Sequence, residues 1–181
     1  TWSSSYKKFG DVSIDAVADG SDLIGWYDFS PYAKDMNFTN ASFTIEAWIY
    51  LDSHSVGNTG TNNYAFPSIF HKGIKGNFGV NNGVLTYAYM NPSGTWILTA
   101  THQTTVTTGA WHHVAVVVDY PNTDLYLFVD GVKQTTAHTW QGQLATESNA
   151  GQQWLGVVSQ SGNSASYLRG YIGEFRVTET V

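Results

Sequence analysis

"TGAWHHVAVVVDYPNTDLYLFVDGVK", residues 108–133, is the stretch on which the fold turns. It sets two adjacent histidines, His112 and His113, beside Trp111, and ends its two apolar runs on Asp119 and Asp130. "WHHVAVVVD" reads as extended chain, in which consecutive side chains point to opposite faces. Trp111, His113, Ala115 and Val117 then share one face, and His112, Val114, Val116 and Val118 the other. Two imidazoles that diverge in this way cannot hold one metal ion, since a zinc site on a strand wants its ligands two residues apart. The spacing predicts a structural pair, one ring packed and hydrogen-bonded and the other nearer solvent. Pro121-Asn122 and Asp130-Gly131 supply chain reversals, with Asp130 as a turn former.

The same period of two recurs along the chain. In "FTIEAWIYL" (43–51), Phe43, Ile45, Ala47, Ile49 and Leu51 line one face, and Thr44, Glu46, Trp48 and Tyr50 the other. Further strands are predicted at 12–17, 23–29, 83–90, 94–100, 124–130 and 171–177. Turns are predicted at Asn82-Gly83 and Pro92-Ser93-Gly94. No window carries a helical stripe; "PYAKDM" (31–36) amounts to a single turn. Three polar segments, 52–65, 138–151 and 159–166, resist strand assignment. Loops of that length are more often functional or mobile than idle. Short strands at roughly ten-residue spacing point to an all-β antiparallel sandwich.

Composition narrows the function classes. The chain has 181 residues, 42% hydrophobic, 15% aromatic and only 12% charged, the profile of one folded domain. The expected organisation is a single domain over 1–181, with 1–8 as a tether to something upstream, since the chain opens on Thr1 rather than Met. A net charge of −6 with eight scattered basic residues argues against nucleic acid. With no cysteine there are neither disulfides nor thiolate sites. No apolar run reaches transmembrane length, so membrane insertion is not expected. A surface built mainly from Ser, Thr, Asn, Gln and Gly suits an extracellular or virion-borne protein.

Four segments together resemble a family. "FTIEAWIYL", "SIFHKG" (68–73), "WHHVAVVVD" with "LYLFVDGV", and "LRGYIGEFRV" (168–177) are similar, in this order along the chain, to the framework strands of laminin-G-like, concanavalin A-like sandwich domains. The resemblance covers roughly residues 9–178 and implies a jelly-roll sandwich. With the opening "FGDVSI" (9–14), the layout also resembles laminin-G-like modules of bacteriophage tail, fibre and head proteins. Secreted bacterial enzymes and adhesins carry similar domains.

The same sandwich hosts glycosidases and lyases, so catalysis must be weighed. A retaining glycosidase needs two carboxylates about 5–5.5 Å apart. No alternating acidic cluster is present; Glu46, Glu147, Glu174 and Glu179 stand apart from other acids in sequence. Nucleophile-elbow and phosphate-loop motifs are missing too. A non-catalytic module is expected. For calcium, "DAVADGSD" (15–22) offers Asp15, Asp19 and Asp22 near Gly20, with Asp19 and Asp22 the candidate ligands, although "ADGSD" is equally a plain turn. No other cofactor is implied.

Seven Trp and eleven Tyr exceed what a small core needs, and some are placed to stack on sugar rings. Trp140 sits in a Gln- and Thr-rich loop, and Tyr64 follows Asn62 and Asn63. Tyr87, Tyr89 and Trp96 alternate on neighbouring strands where they can line one sheet face. Trp48, Trp111 and Trp154 are assigned to core packing. The resemblance implies a ligand at the concave face or the loops of one sandwich edge. The expected partner is host-surface carbohydrate, bound by many copies acting together in a homo-oligomer or array. The alternative is a neighbouring virion protein, since exposed Trp and Tyr anchor protein interfaces as readily. An accessory role in a polysaccharide-degrading enzyme is a third reading.

Overall fold

The structure, a computed structural model, describes residues 2–10, 13–15, 27–28, 40–54, 66–73, 76–99, 104–135, 138–143, 153–160 and 163–180. No α-helix occurs among them. In chain order the strands are β1 (Trp2–Ser3), β2 (Ser13–Asp15), β3 (Tyr27–Asp28), β4 (Ser42–Leu51), β5 (Ser68–Lys72) and β6 (Gly76–Asn81). Then come β7 (Val84–Met90), β8 (Trp96–Thr99), β9 (Trp111–Asp119), β10 (Asp124–Val129) and β11 (Val132–Lys133). The last are β12 (His138–Thr139), β13 (Gln153–Leu155), β14 (Val157–Gln160), β15 (Asn163–Tyr167) and β16 (Gly170–Thr180). An eight-stranded sheet runs β1-β2-β16-β4-β9-β10-β11, with β12 also paired to β10. A six-stranded sheet runs β3-β13-β5-β6-β7-β8, and β14-β15 form a separate hairpin. The described pairings are antiparallel, as the alternating pattern requires.

The centre of the large sheet follows directly from that alternation. Phe43, Ile45, Ala47, Ile49 and Leu51 of β4 are buried, and the register sets Phe43 opposite Val118, Ile45 opposite Val116 and Ala47 opposite Val114. Leu125, Leu127 and Val129 of β10 continue the row. Across the sandwich they meet Phe70, Phe78, Val80, Leu85, Tyr87, Tyr89 and Leu155. Each such side chain contributes about 1.5–3 kcal/mol on burial, which is what holds two amphipathic sheets together. Asn82-Gly83 and Asp130-Gly131 both take positive φ at two consecutive residues, 49° with 82° and 50° with 76°, the geometry of a tight hairpin turn.

Four features depart from what the sequence leads one to expect. In β16 the pairing with β4 slips between Gly173 and Arg176, and Glu174 takes a φ of 51°. This bulge absorbs one residue. It lets Ile172, Phe175 and Val177 all pack on the core while Arg176 stands outside opposite Glu46. Strict alternation would have turned Glu174 inward. Residues 159–160 and 163–166, in a segment that resists strand assignment from sequence, belong instead to β14 and β15, held by backbone pairing with a register irregularity. His138–Thr139, in another segment read as loop, pairs with β10. Trp48 and Trp111, assigned to the core, face outward, because the burial period of β4 and β9 puts Ile49 and Val114 inside. Trp154 is buried as expected. The single turn at 31–36 lies outside the described residues.

Candidate functional site

The two histidines diverge across the sheet. His113 pairs with Trp48 and points outward, where its Nε2 lies 3.1 Å from a Glu46 carboxylate oxygen. His112 pairs with Ile49; its Nδ1 lies 2.7 Å from Asp130 Oδ2 and its Nε2 2.8 Å from the Thr107 hydroxyl. Both rings are therefore held by carboxylates on opposite sides of the strand. No metal-binding group of three such side chains occurs among the described residues. Asp130 does more than form a turn. It also accepts the His113 backbone N–H at 2.9 Å, so it fastens the hairpin and the 104–110 segment to β9.

Burial opposes ionisation of Asp130, but hydrogen bonds from His112 and the His113 amide, with the charge of both imidazoles, outweigh it and hold the carboxyl below its usual range. A depressed carboxyl stabilises the fold above the ordinary carboxylate range, and that stabilisation is lost as pH falls through the folded value. Asp130→Ala is accordingly expected to flatten the acid limb of the stability curve below pH ~4. Urea midpoints measured down that range in both proteins check it.

The acids give little support to hydrolysis. Glu46, on a framework strand, is clamped by Arg176, whose Nε donates to it at 2.7 Å, and by His113. Asp119 and Asp124 stand opposite each other in the β9–β10 register, but beside an exposed turn, where Asn122 and Tyr126 already donate to them. Glu147 lies outside the described residues, as do Asp19 and Asp22 of the calcium expectation and Asn62, Asn63 and Tyr64 of the sugar expectation.

The remaining aromatic candidates converge, but largely inside the molecule. Tyr87 and Tyr89 are fully buried and Trp140 is 2% exposed, so none presents a ring to a ligand. The reason is tertiary. The Trp140 backbone N–H donates to the Thr123 carbonyl at 2.7 Å, which draws the ring across the open edge of the sandwich. There it lies 4.3 Å from Tyr89 and 5.7 Å from Phe43, ring centre to ring centre. The next residues tie the edge to the six-stranded sheet. Gln141 N–H donates to the Tyr89 hydroxyl at 3.0 Å, and the Gln143 amide reaches the Tyr87 hydroxyl at 3.4 Å. Gly142, at a φ of 78°, passes so close to Pro92 that a Cβ would sit 3.4 Å from its ring.

This closure builds a polar rim. Asn91 donates to the Gln141 side-chain oxygen at 3.2 Å, and its own oxygen accepts from Ser93 Oγ and Thr95 N–H, each at 2.9 Å. Trp96 pairs with Met90 just beyond the turn and is half-buried, with Leu98 47% exposed two residues on. Of the four sugar-stacking candidates among the described residues, Tyr87, Tyr89, Trp96 and Trp140, Trp96 is the one left at the surface. The exposed Gln141 amide, Ser93 and Thr95 lie around the same turn.

On the same outer face a second row runs inward from this rim. Trp154, His71, Asn77, Ala88 and Leu98 are successive partners across β13, β5, β6, β7 and β8. His71 stacks on Trp154 at 5.8 Å, is 6% exposed, and its Nδ1 finds no hydrogen-bond partner among the described residues. Burial pushes its pKa down from 6.5 to about 4. A buried neutral histidine resists protonation that the unfolded chain accepts, so stability is full above pH ~6.5, falls as pH drops toward 4 and then levels. The shift corresponds to roughly 3 kcal/mol. His71→Leu is expected to remove much of the stability difference between pH 7 and pH 5, and proton NMR should find the ring neutral at pH 5.

One surface went unread in the sequence. The outer face of the large sheet carries Trp48, Tyr50, Trp111 and Tyr171, with Tyr50 5.8 Å from Trp111 and 6.0 Å from Tyr171. Gly173 leaves room there for the Trp111 ring, 3.7 Å from where a Cβ would stand. At its end, burial and then the charge of Asp15 raise the Asp52 carboxyl above its usual range.

Comparison with known proteins agrees with this architecture. A laminin-G family model described as "Concanavalin A-like lectin/glucanases superfamily" matches residues 29–181. No curated protein matches the chain in sequence. Among solved structures, the CBM40 of Ruminococcus gnavus IT-sialidase bound to α2,3-sialyllactose is similar, with a TM-score of 0.61 and 17% identity over 86% of this chain and 84% of that one. A candidate carbohydrate-binding protein from Bacteroides ovatus gives 0.59 and 20% over 80% of this chain and 39% of its own. Domains LG4–5 of the mouse laminin α1 chain give 0.54 and 15% over 78% and 36%. The chain thus spans well under half the length of the last two, and at these identities the likeness establishes the fold. The chain belongs to the concanavalin A-like lectin/glucanases superfamily.

Proposed function

We propose that the chain is a non-catalytic carbohydrate-binding adhesion module, displayed on a virion surface such as a phage tail, fibre or head, or otherwise outside a cell. The observation that carries the sugar reading is the rim at the β7–β8 turn. Trp96 offers a partly open indole just past the turn that carries Ser93 and Thr95, and Gln141 joins that turn through its bond with Asn91, so an apolar ring and amide and hydroxyl groups share one end of the sheet. Sugars present C–H patches ringed by hydroxyls, and a fixed indole with adaptable polar neighbours matches that chemistry. The rim is stiff, because Trp140, Tyr89 and Asn91 support it from below. Two structural relatives are a sugar-bound CBM40 and a candidate carbohydrate-binding protein, which is consistent with this reading. The low charge, with 12% Asp, Glu, Lys and Arg, favours the extracellular setting. Many weak copies would supply avidity.

A glycan array probed with the multimerised domain tests this. Saturable binding that Trp96→Ala abolishes, with the melting temperature lowered by less than the equivalent of about 1 kcal/mol, is the expected result. Silence across host polysaccharides contradicts it. A hydrolytic reading has one observation in its favour, the Asp52 carboxyl raised by burial and by the charge of Asp15, the direction of shift that a general acid needs. Release of reducing ends from polysaccharide, lost in Asp52→Asn, would establish it.

A further inference from the structure

The aromatic outer face of the large sheet is occupied by the chain's own first residues. Beyond β1, Tyr6 stacks flat on Tyr171, with ring centres 4.5 Å apart and planes 11° from parallel. Phe9 meets Trp48 edge-on at 5.6 Å, and the Lys8 ammonium sits 4.5 Å over the same indole. The face is therefore a built seat for a Tyr-Lys-Lys-Phe segment, reading two aromatic rings and a cation.

Three properties make this segment exchangeable. It lies ahead of the family match, which begins at residue 29, and among the described residues the buried core cluster has no member before Phe43, so lifting it opens no described part of the core. Its described backbone ties are few: Trp2 and Ser3 pair with Ile14 and Ser13, the Tyr6 N–H donates to Ser3 Oγ, and Ser13 Oγ donates to the Tyr6 carbonyl. Charge also complements, since residues 1–10 hold Lys7 and Lys8 and no acid, whereas the chain carries −6. Both residues stay substantially open to solvent while seated, Tyr6 being 43% and Phe9 52% exposed.

We propose that this face is an interface between copies of the chain, in which the Tyr6–Phe9 segment of one copy takes the seat of another. Exchange of an identical element is reciprocal and yields a two-fold dimer with the same contacts that close the monomer. The cis segment competes at a local concentration in the millimolar range, so exchange belongs to crowded assemblies or concentrated solution. Neither seat nor segment involves Trp96.

Light scattering on the full chain from about 10 μM to about 1 mM, spanning that local concentration, reads the exchange. The wild type is expected to rise toward twice the monomer mass, while a Tyr6→Ala, Lys8→Ala, Phe9→Ala variant stays monomeric. A fluorescent peptide of residues 1–10 should bind that variant saturably, and Tyr171→Ala added to the variant should weaken binding at least tenfold. Should the triple variant melt early, Tyr6→Ala alone serves, with a smaller loss of dimer. Equal masses for wild type and variant at every concentration, or a peptide that does not saturate, overturns the proposal. Peptide binding with a wild type that stays monomeric overturns it as well, because the contact is then made only in cis.

Discussion

Trp140→Ala is expected to lower the unfolding free energy by about 3–5 kcal/mol, the range for deleting a large buried aromatic side chain. For a chain of this length that is a fall in melting temperature of roughly 6–20 °C. The indole is 2% exposed and closes the sandwich edge against Phe43 and Tyr89, so its removal leaves a cavity between the sheets. It also unseats Gln141 and Gln143, whose bonds to the two tyrosine hydroxyls depend on the same chain path. Calorimetry of the variant checks this. A melting temperature within 2–3 °C of wild type, a loss below about 1 kcal/mol, would mean that the ring is not a core residue.

Gly79→Ala is the second large effect. Gly79 lies in the middle of β6, paired with Ser68 on one side and Thr86 on the other. A Cβ there would fall 1.9 Å from the Pro67 carbonyl oxygen, which is backbone and accepts the Val80 N–H at 3.0 Å. No side-chain rotation relieves such a contact; β5 and β6 must part, and the Val80 bond with them. The cost is expected to be about 3 kcal/mol, at the upper end for overpacking, or a drop of roughly 6–12 °C. Gly94→Ala is the control, as nothing lies within 4 Å of its Cβ position, although its φ of 78° adds a smaller strain. Denaturant midpoints for both rank the two costs, and a Gly79 variant no less stable than the Gly94 variant would refute the close approach.

How far the sequence was legible follows from which interactions are local. Period-two alternation in β4 and β9 and the Asn-Gly and Asp-Gly turns are written in neighbouring residues, and the two sheets form where these signals lie. The divergence of His112 from His113 follows from strand geometry in the same way. Alternation says that two faces differ but not always which one is inside. Trp48 and Trp111, expected in the core, stand on the outer face, and the aliphatic residues beside them fill the core. The bulge at Glu174 depends on a positive φ that nothing in "YIGEFRV" marks.

The site was harder because its parts are distant in sequence. Trp140 reads as a loop aromatic until the Thr123 carbonyl, seventeen residues earlier, is seen to draw it inward. The Asn91–Gln141 bond joins residues fifty positions apart, so the rim around Trp96 had no local signature beyond the tryptophan itself. The N-terminal segment, read as a tether, carries β1 and the rings on the large sheet, and only the stacked geometry of Tyr6 on Tyr171 gives "YKKF" a role.

The central claim is that ligand is held at the surface rim around Trp96 rather than by the aromatics beneath it. Amide chemical-shift mapping during titration with an oligosaccharide that binds on the array tests this most directly. Shifts are expected to concentrate in residues 91–98 and 141–143, to saturate with the binding curve and to vanish in Trp96→Ala. Shifts that instead gather on β4, β9 and β16 around Trp48, Trp111 and Tyr171 would contradict it.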